Sequence, residues 1–96
     1  MSRQAQFRFQ LYVAGDAANS AQAIANLNSI CRTHLPGKHE IEIVDVFRDP
    51  KRALADGVFM TPTLVKMSPA PLCRIVGTLS QPEIVLLALG LRSIAA

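Results

Sequence analysis

This sequence predicts a single α/β domain with the element order βαβ, a short helix, ββ and a final α, and three observations predict it. Phe7, Phe9, Leu11 and Val13 alternate with Arg8, Gln10 and Tyr12, the period of two that marks a strand. Ile24, Leu27, Cys31 and Leu35 then recur at helical spacing ahead of a second extended stretch. Thr61-Pro62-Thr63-Leu64-Val65-Lys66 opens a third such stretch, followed by a proline-rich turn, a fourth, and an apolar run with a helix-start signal.

The elements follow in chain order. In the first strand the alternation leaves one face buried. Gly15-Asp16 breaks the strand, and Asn19 is placed to cap the next helix, with Gln22 as its capping-box partner. Pro36-Gly37 ends that helix, because proline cannot extend the hydrogen-bond ladder and glycine accepts the left-handed exit. The second strand is expected over 39–47, and its apolar Val44, Val46 and Phe47 suit a strand covered on both faces. A helix-length connection between two strands predicts that they run parallel. Asp49-Pro50 reads as cap and first residue of a short basic helix that stops at Gly57. A hairpin follows, with strands over 63–67 and 72–76 and a turn of Ser68-Pro69-Ala70-Pro71 that blunts edge pairing. Ser80-Gln81-Pro82-Glu83 is a capping box for a helix. The run 84–89 after it is apolar throughout, so its composition also fits a buried strand.

Composition narrows the function. At 96 residues with 50% hydrophobic side chains, the chain suffices for one core, so one domain over 1–96 is expected, with 1–6 disordered and 91–96 frayed. The longest apolar run, 84–89, is far shorter than the roughly 18 residues a membrane span needs. Met1-Ser2-Arg3-Gln4-Ala5-Gln6 has no apolar signal region, so a cytoplasmic address is expected. The net charge of +3 is spread along the chain, which favours an acidic protein partner over nucleic acid. Phe7 and Phe9 match the stacked aromatics of RNA-binding sheets in spacing alone and are expected in the core.

No residue set points to bond chemistry. Cys31 and Cys73 are too far apart for a C-x-x-C motif and lack zinc-site spacing, so both read as small core residues. His34 and His39 flank the Pro36-Gly37 turn without thiol or carboxylate neighbours and read as turn residues. Ser20 reads as local capping chemistry, since no base stands near it to make it a nucleophile. No cofactor is expected.

The element order with Thr61-Pro62 before the third strand resembles the thioredoxin fold, whose proline at that place is usually cis. In that architecture the turn after the first strand carries the reactive thiols. Here the turn is Ala14-Gly15-Asp16-Ala17-Ala18-Asn19-Ser20, which contains no cysteine. More specifically, Leu11-Tyr12-Val13-Ala14-Gly15, Val44-Asp45-Val46, Asp49-Pro50, Thr61-Pro62-Thr63-Leu64-Val65-Lys66, Pro69-Ala70-Pro71 and Arg74-Ile75-Val76-Gly77-Thr78-Leu79-Ser80 look like the KaiB family. These blocks span nearly the whole chain. The sensor domain of the clock histidine kinase SasA is similar.

The resemblance implies a non-enzymatic partner of the ring-shaped ATPase KaiC, active in circadian timing or in a related stress or signalling system. It implies two folds for one chain: a tetrameric ground state of order βαββααβ, and a monomeric thioredoxin-like state that binds KaiC, the second half being the part that refolds. A homotetramer or homodimer is therefore expected, with no nucleic acid or membrane partner. Arg48, Lys51, Arg52, Lys66 and Arg74 are the candidates for the basic docking surface. Pro62, Pro69, Pro71, Gly77 and Thr78 are the candidates for the region that changes fold, Gly77 and Thr78 lying at its junction. The sequence leaves the isomer of the Thr61-Pro62 bond open. It departs from the family's usual pattern at Cys73-Arg74, where Arg-Arg is common, and at Gly77-Thr78, where Gly-Asp is common. From a different class, a glutathione- or peroxide-handling enzyme would need Cys31 or Cys73 as its thiol, and a stress-related adaptor would need no ATPase partner.

Overall fold

A computed structural model describes residues 6–91. The elements are β1 (Phe7–Val13), α1 (Ala18–His34), β2 (His39–Asp45), α2 (Pro50–Ala55), β3 (Thr63–Ser68), β4 (Cys73–Val76) and α3 (Pro82–Ala88). This is the βαβ-α-ββ-α order and not βαββααβ: the run 84–89 forms most of α3 and its cap. The expectations for residues 1–5 and 92–96 lie outside the described residues.

The four strands form one sheet in the order β2-β1-β3-β4. The helical crossover makes β1 and β2 parallel, with Val13 beside Asp45, while the tight proline turn makes β3 and β4 antiparallel, with Lys66 beside Cys73. β3 also runs antiparallel to β1, with Tyr12 beside Thr63.

The alternation in β1 sends Phe9, Leu11 and Val13 to the face covered by α1 and α3, where they meet Ala23, Leu27, Ile30 and Cys31 of α1, Leu64 of β3, and Val85 and Leu86 of α3. Leu11, Leu27 and Leu64 are completely shielded, so this face holds most of the apolar burial that stabilises the fold. Phe7 and Phe9 stack at 6.2 Å on the same face, Phe9 within the core and Phe7 half-buried against it.

The opposite face was expected to be polar, and at Tyr12 it is not. Tyr12 is fully buried with Val44, Ala53, Val58 and Val65 in a smaller cluster under α2. A six-residue helix covers only part of that face.

Further expectations are corrected. β2 ends at Asp45 and is an edge strand with Phe47 73% exposed, so it is not covered on both faces. The apolar residues after Asp45 belong to the turn into α2, where Val46 packs half-buried against the Tyr12 cluster and Phe47 faces outward. Asn19 lies inside α1, whose N-cap is Ala17, and neither it nor Ser80 makes a capping bond; α3 starts one residue later, at Gln81. Ser20 performs the local bond at α1, its Oγ accepting the Ala14 N–H at 3.0 Å. Asp49 and Pro50 stand where the sequence puts them, although the Asp49 carboxylate makes no cap bond.

Candidate functional site

The register brings three loops to one end of the sheet. Val13 pairs with Asp45 and Tyr12 with Thr63, so the segments after β1, after β2 and before β3 emerge side by side. The Asp45 carboxylate ties two of them: its Oδ1 accepts the N–H groups of Gly15 at 3.2 Å and Phe47 at 2.9 Å. Gly15 has φ +56, and a Cβ there would lie 3.3 Å from Phe47 Cδ2, so the bare backbone lets the Phe47 ring close over the turn. The third segment contains Phe59, Met60 and Pro62, with Thr63 Oγ1 donating to the Met60 carbonyl at 2.5 Å.

Pro62 is buried and its peptide bond is cis, as are those of Pro69 and Pro71. The Pro62 carbonyl accepts Gly77 N–H at 2.9 Å, and the Thr78 carbonyl accepts Asn26 Nδ2 at 2.8 Å. The structure thus joins Pro62, Gly77 and Thr78 at this end, while Pro69 and Pro71 lie at the other, in the hairpin turn. Between β4 and α3, Leu79 holds φ 62, a left-handed value that costs a branched side chain of the order of 1 kcal/mol and that its burial offsets.

The five basic candidates do not gather into one patch. Arg48 and Lys51 are exposed on the β2–α2 turn and the first turn of α2, and their side chains pair with no described residue. Arg52 makes a bidentate pair with Glu42 at 2.7 and 2.6 Å, which holds the Glu42 carboxyl below the usual range and raises the guanidinium further. Arg74 donates to the Asp56 and Gly57 carbonyls, the latter at 3.1 Å, on the α2 side of the sheet. Lys66 corrects the sequence reading outright. It is 4% exposed, on the α3 side, with Nζ 3.3 Å from the Leu89 carbonyl, so in this fold it is no part of an open surface. Strand alternation already carried that signal, because Lys66 shares a face with the core residue Leu64.

Sequence reasoning passed over Leu54, Phe59 and Met60 and assigned Phe47, beside Arg48, to a covered strand. Phe47, Leu54, Phe59 and Met60 are 73%, 66%, 82% and 63% exposed. Aromatic, methionine and arginine side chains together are what protein interfaces favour. The signal in the sequence was slight: Phe47 adjoins Arg48 and Leu54 shares α2 with Lys51, while Phe59 and Met60 fall outside any periodic element.

Two polar groups under α2 are structural. The Tyr12 hydroxyl donates to the Asp56 carboxylate and lies 3.1 Å from Gln10 Oε1; burial first, and then Asp56, push it up to about 12. Gln10 in turn donates to Glu42 at 3.4 Å, linking α2 to β1 and β2.

Neither thiol stands at the Gly15 end. Cys31 is buried in α1 and burial pushes its thiol up to about 11. Cys73, half-buried and not a full core residue, donates through Sγ to the Ala88 carbonyl at 3.2 Å. His39 Nδ1 sits 2.7 Å from the Leu35 carbonyl, and His34 is exposed. No group of three or more metal-ligating side chains occurs among the described residues, and no described helix is long and apolar enough to cross a membrane.

Among solved structures, the N-terminal domain of SasA from Synechococcus elongatus superposes with a TM-score of 0.74 at 16% identity, covering 100% of this chain and 94% of that one. Mitochondrial thioredoxin 3 from Saccharomyces cerevisiae gives 0.67 at 18% identity, covering 85% and 74%. At such identities the likeness is one of fold, and the fold is thioredoxin-like. In sequence, the circadian clock protein KaiB3 of Synechocystis sp. is 44% identical over 82 residues, which cover 85% of this chain and 80% of that protein. The circadian clock oscillator protein KaiB of Prochlorococcus marinus is 40% identical over 91 residues, covering 95% and 78%. A model described as the KaiB domain matches residues 10–91, from the middle of β1 to the residue that closes α3. With the fold, the motif blocks and this match in agreement over the same residues, the chain belongs to the KaiB family.

Proposed function

We propose that this protein is a non-enzymatic regulator that docks on a KaiC-type ATPase ring. One observation carries the reading: the end of the sheet where a thioredoxin keeps its thiols here presents Phe47, Phe59 and Met60, next to the exposed Arg48 and Lys51. Desolvating exposed aromatics supplies binding energy, and cations at the rim steer an acidic partner surface. The role belongs to circadian timing, as the names of the relatives imply, or to an allied stress or signalling system, in the cytoplasm where such a ring works.

In this proposal Arg48 and Lys51 make the charged contacts. Arg52 and Arg74 hold α2 in place beneath them. Docking is controlled by dissociation of a homotetramer or homodimer and by exchange with the ground-state packing. The junction at Gly77 and Thr78, next to the left-handed Leu79, is where the second half of the chain changes course, with Pro62, Pro69 and Pro71 bounding the segment that changes.

Size-exclusion chromatography of the full chain with a KaiC-type ATPase tests the proposal. Co-elution that strengthens as ATP is hydrolysed is expected. Absence of a complex under every nucleotide condition overturns it, as does thiol-dependent turnover that Cys31→Ser or Cys73→Ser abolishes.

A further inference from the structure

An α-helix ends with four carbonyls that no helical N–H can reach. In α3 these belong to Leu86, Leu87, Ala88 and Leu89. The backbone satisfies the first two: Leu91 N–H donates to Leu86 at 2.9 Å and Gly90 N–H to Leu87 at 3.2 Å, with Gly90 left-handed at φ 76. This is the Schellman arrangement. The other two are met from the sheet, Ala88 by Cys73 Sγ at 3.2 Å and Leu89 by Lys66 Nζ at 3.3 Å.

Lys66 and Cys73 are direct cross-strand neighbours in the β3–β4 hairpin. We propose that they form a latch, a conformational device that makes the docking of α3 conditional on the register of that hairpin. Sliding β4 by one residue turns the Cys73 side chain to the opposite face and sets another residue beside Lys66, so the Ala88 carbonyl loses its donor. The ammonium also lies at the negative end of the helix dipole, where a cation is favoured. Without the Leu89 carbonyl it would be a buried charge with no described partner, a costly state that drives the hairpin and helix to form or separate together. When the latch opens, Val85, Leu86 and Leu89 leave the core, which frees α3 while β1, α1 and β2 keep their contacts with one another. The latch stands whether or not the partner is an ATPase ring.

Native-state hydrogen exchange on the full chain tests this. Lys66→Met keeps the length of the side chain and removes its charge and donors. The latch predicts that exchange at the Leu89, Gly90 and Leu91 amides speeds up about tenfold, since a hydrogen bond from a charged group contributes about 1.5 kcal/mol or more, while β1 and β2 amides change less than about twofold. Cys73→Val, which fills the space without a donor, gives a smaller increase of about threefold, and Cys73→Ser, which keeps a donor, stays near the parent rate. Unchanged or slower exchange at the end of α3 overturns the latch, as does an equal loss of protection across β1, α1 and α3. If Lys66→Met does not fold, the contrast between Cys73→Val and Cys73→Ser decides alone, and equal behaviour of those two variants overturns the proposal.

Discussion

Cys73 and Arg74, neighbours on β4, complete helices on opposite faces of the sheet: Cys73 Sγ lies 3.2 Å from the Ala88 carbonyl of α3, and Arg74 Nη1 lies 3.1 Å from the Gly57 carbonyl just past α2. The pleat makes this possible, since successive side chains of a strand point to opposite sides. β4 has only four residues, yet it fastens both helical layers. Arg74→Ala is expected to lower stability by about 1 to 2 kcal/mol, because two carbonyls lose a charged donor. Urea denaturation measures it, and a loss below about 0.3 kcal/mol would show that water replaces the guanidinium without cost.

Reversing the charge at the proposed docking surface should act chiefly on association. Arg48→Glu combined with Lys51→Glu is expected to slow binding to a KaiC-type ring by about tenfold or more at low salt and to flatten its salt dependence, as removal of steering charges does. Stability should change by less than about 0.5 kcal/mol, because neither side chain pairs with a described residue. Stopped-flow fluorescence at two ionic strengths measures the first effect and thermal melting the second.

Removing the apolar centre of the same surface should act on dissociation instead. Phe59→Ala is expected to weaken the complex by about 2 kcal/mol through faster release, with an unchanged melting temperature because the ring is 82% exposed in the free protein. A lower melting temperature with unchanged affinity would place Phe59 in the fold rather than at the interface.

Alkaline pH should destabilise the fold through two buried groups. Cys31 is raised from 9.0 to about 11 and Tyr12 from 10.0 to about 12, so the unfolded chain loses each proton first. The stability these groups contribute is complete below pH 9 and is lost as pH rises from 9 to 12. On the acid side Glu42 has the opposite sign: held low by Arg52, it contributes above its unfolded value of 4.5 and loses that contribution as pH falls. Urea midpoints between pH 7 and 11 should fall only in the upper half of the range, and Tyr12→Phe should flatten the last part of the decline. At pH 8 a thiol reagent should modify Cys73 while Cys31 stays protected until the chain unfolds.

Much of this architecture was legible in the residues. The alternation of β1, the spacing of Leu27 and Cys31 and the Asp49-Pro50 start are local signals, and local chemistry decided them. The features that escaped depend on contacts distant in sequence. Tyr12 occupies a position that looks solvent-facing until α2 packs over it, 38 or more residues later in the chain. Lys66 drew notice as a cation although alternation puts it on the face of Leu64, and the partner that makes its burial tenable, the Leu89 carbonyl, comes from the far end of the chain. Asn19 and Ser80 carry capping chemistry, but the backbone enters each helix at Ala17 and Gln81 and leaves those side chains out of position. At the proposed docking surface the cations drew notice by type, whereas Phe47 read as the end of a covered strand and Phe59 and Met60 lie where periodicity says nothing.

The most direct test of the central claim follows the run 84–89 in the bound state. With the isotope-labelled chain saturated by a KaiC-type ring, helical 13Cα shifts for these residues are expected, together with line broadening at Phe47, Phe59 and Met60. Extended shifts for 84–89 in the complex, or a spectrum that the ring leaves unchanged, would contradict the account.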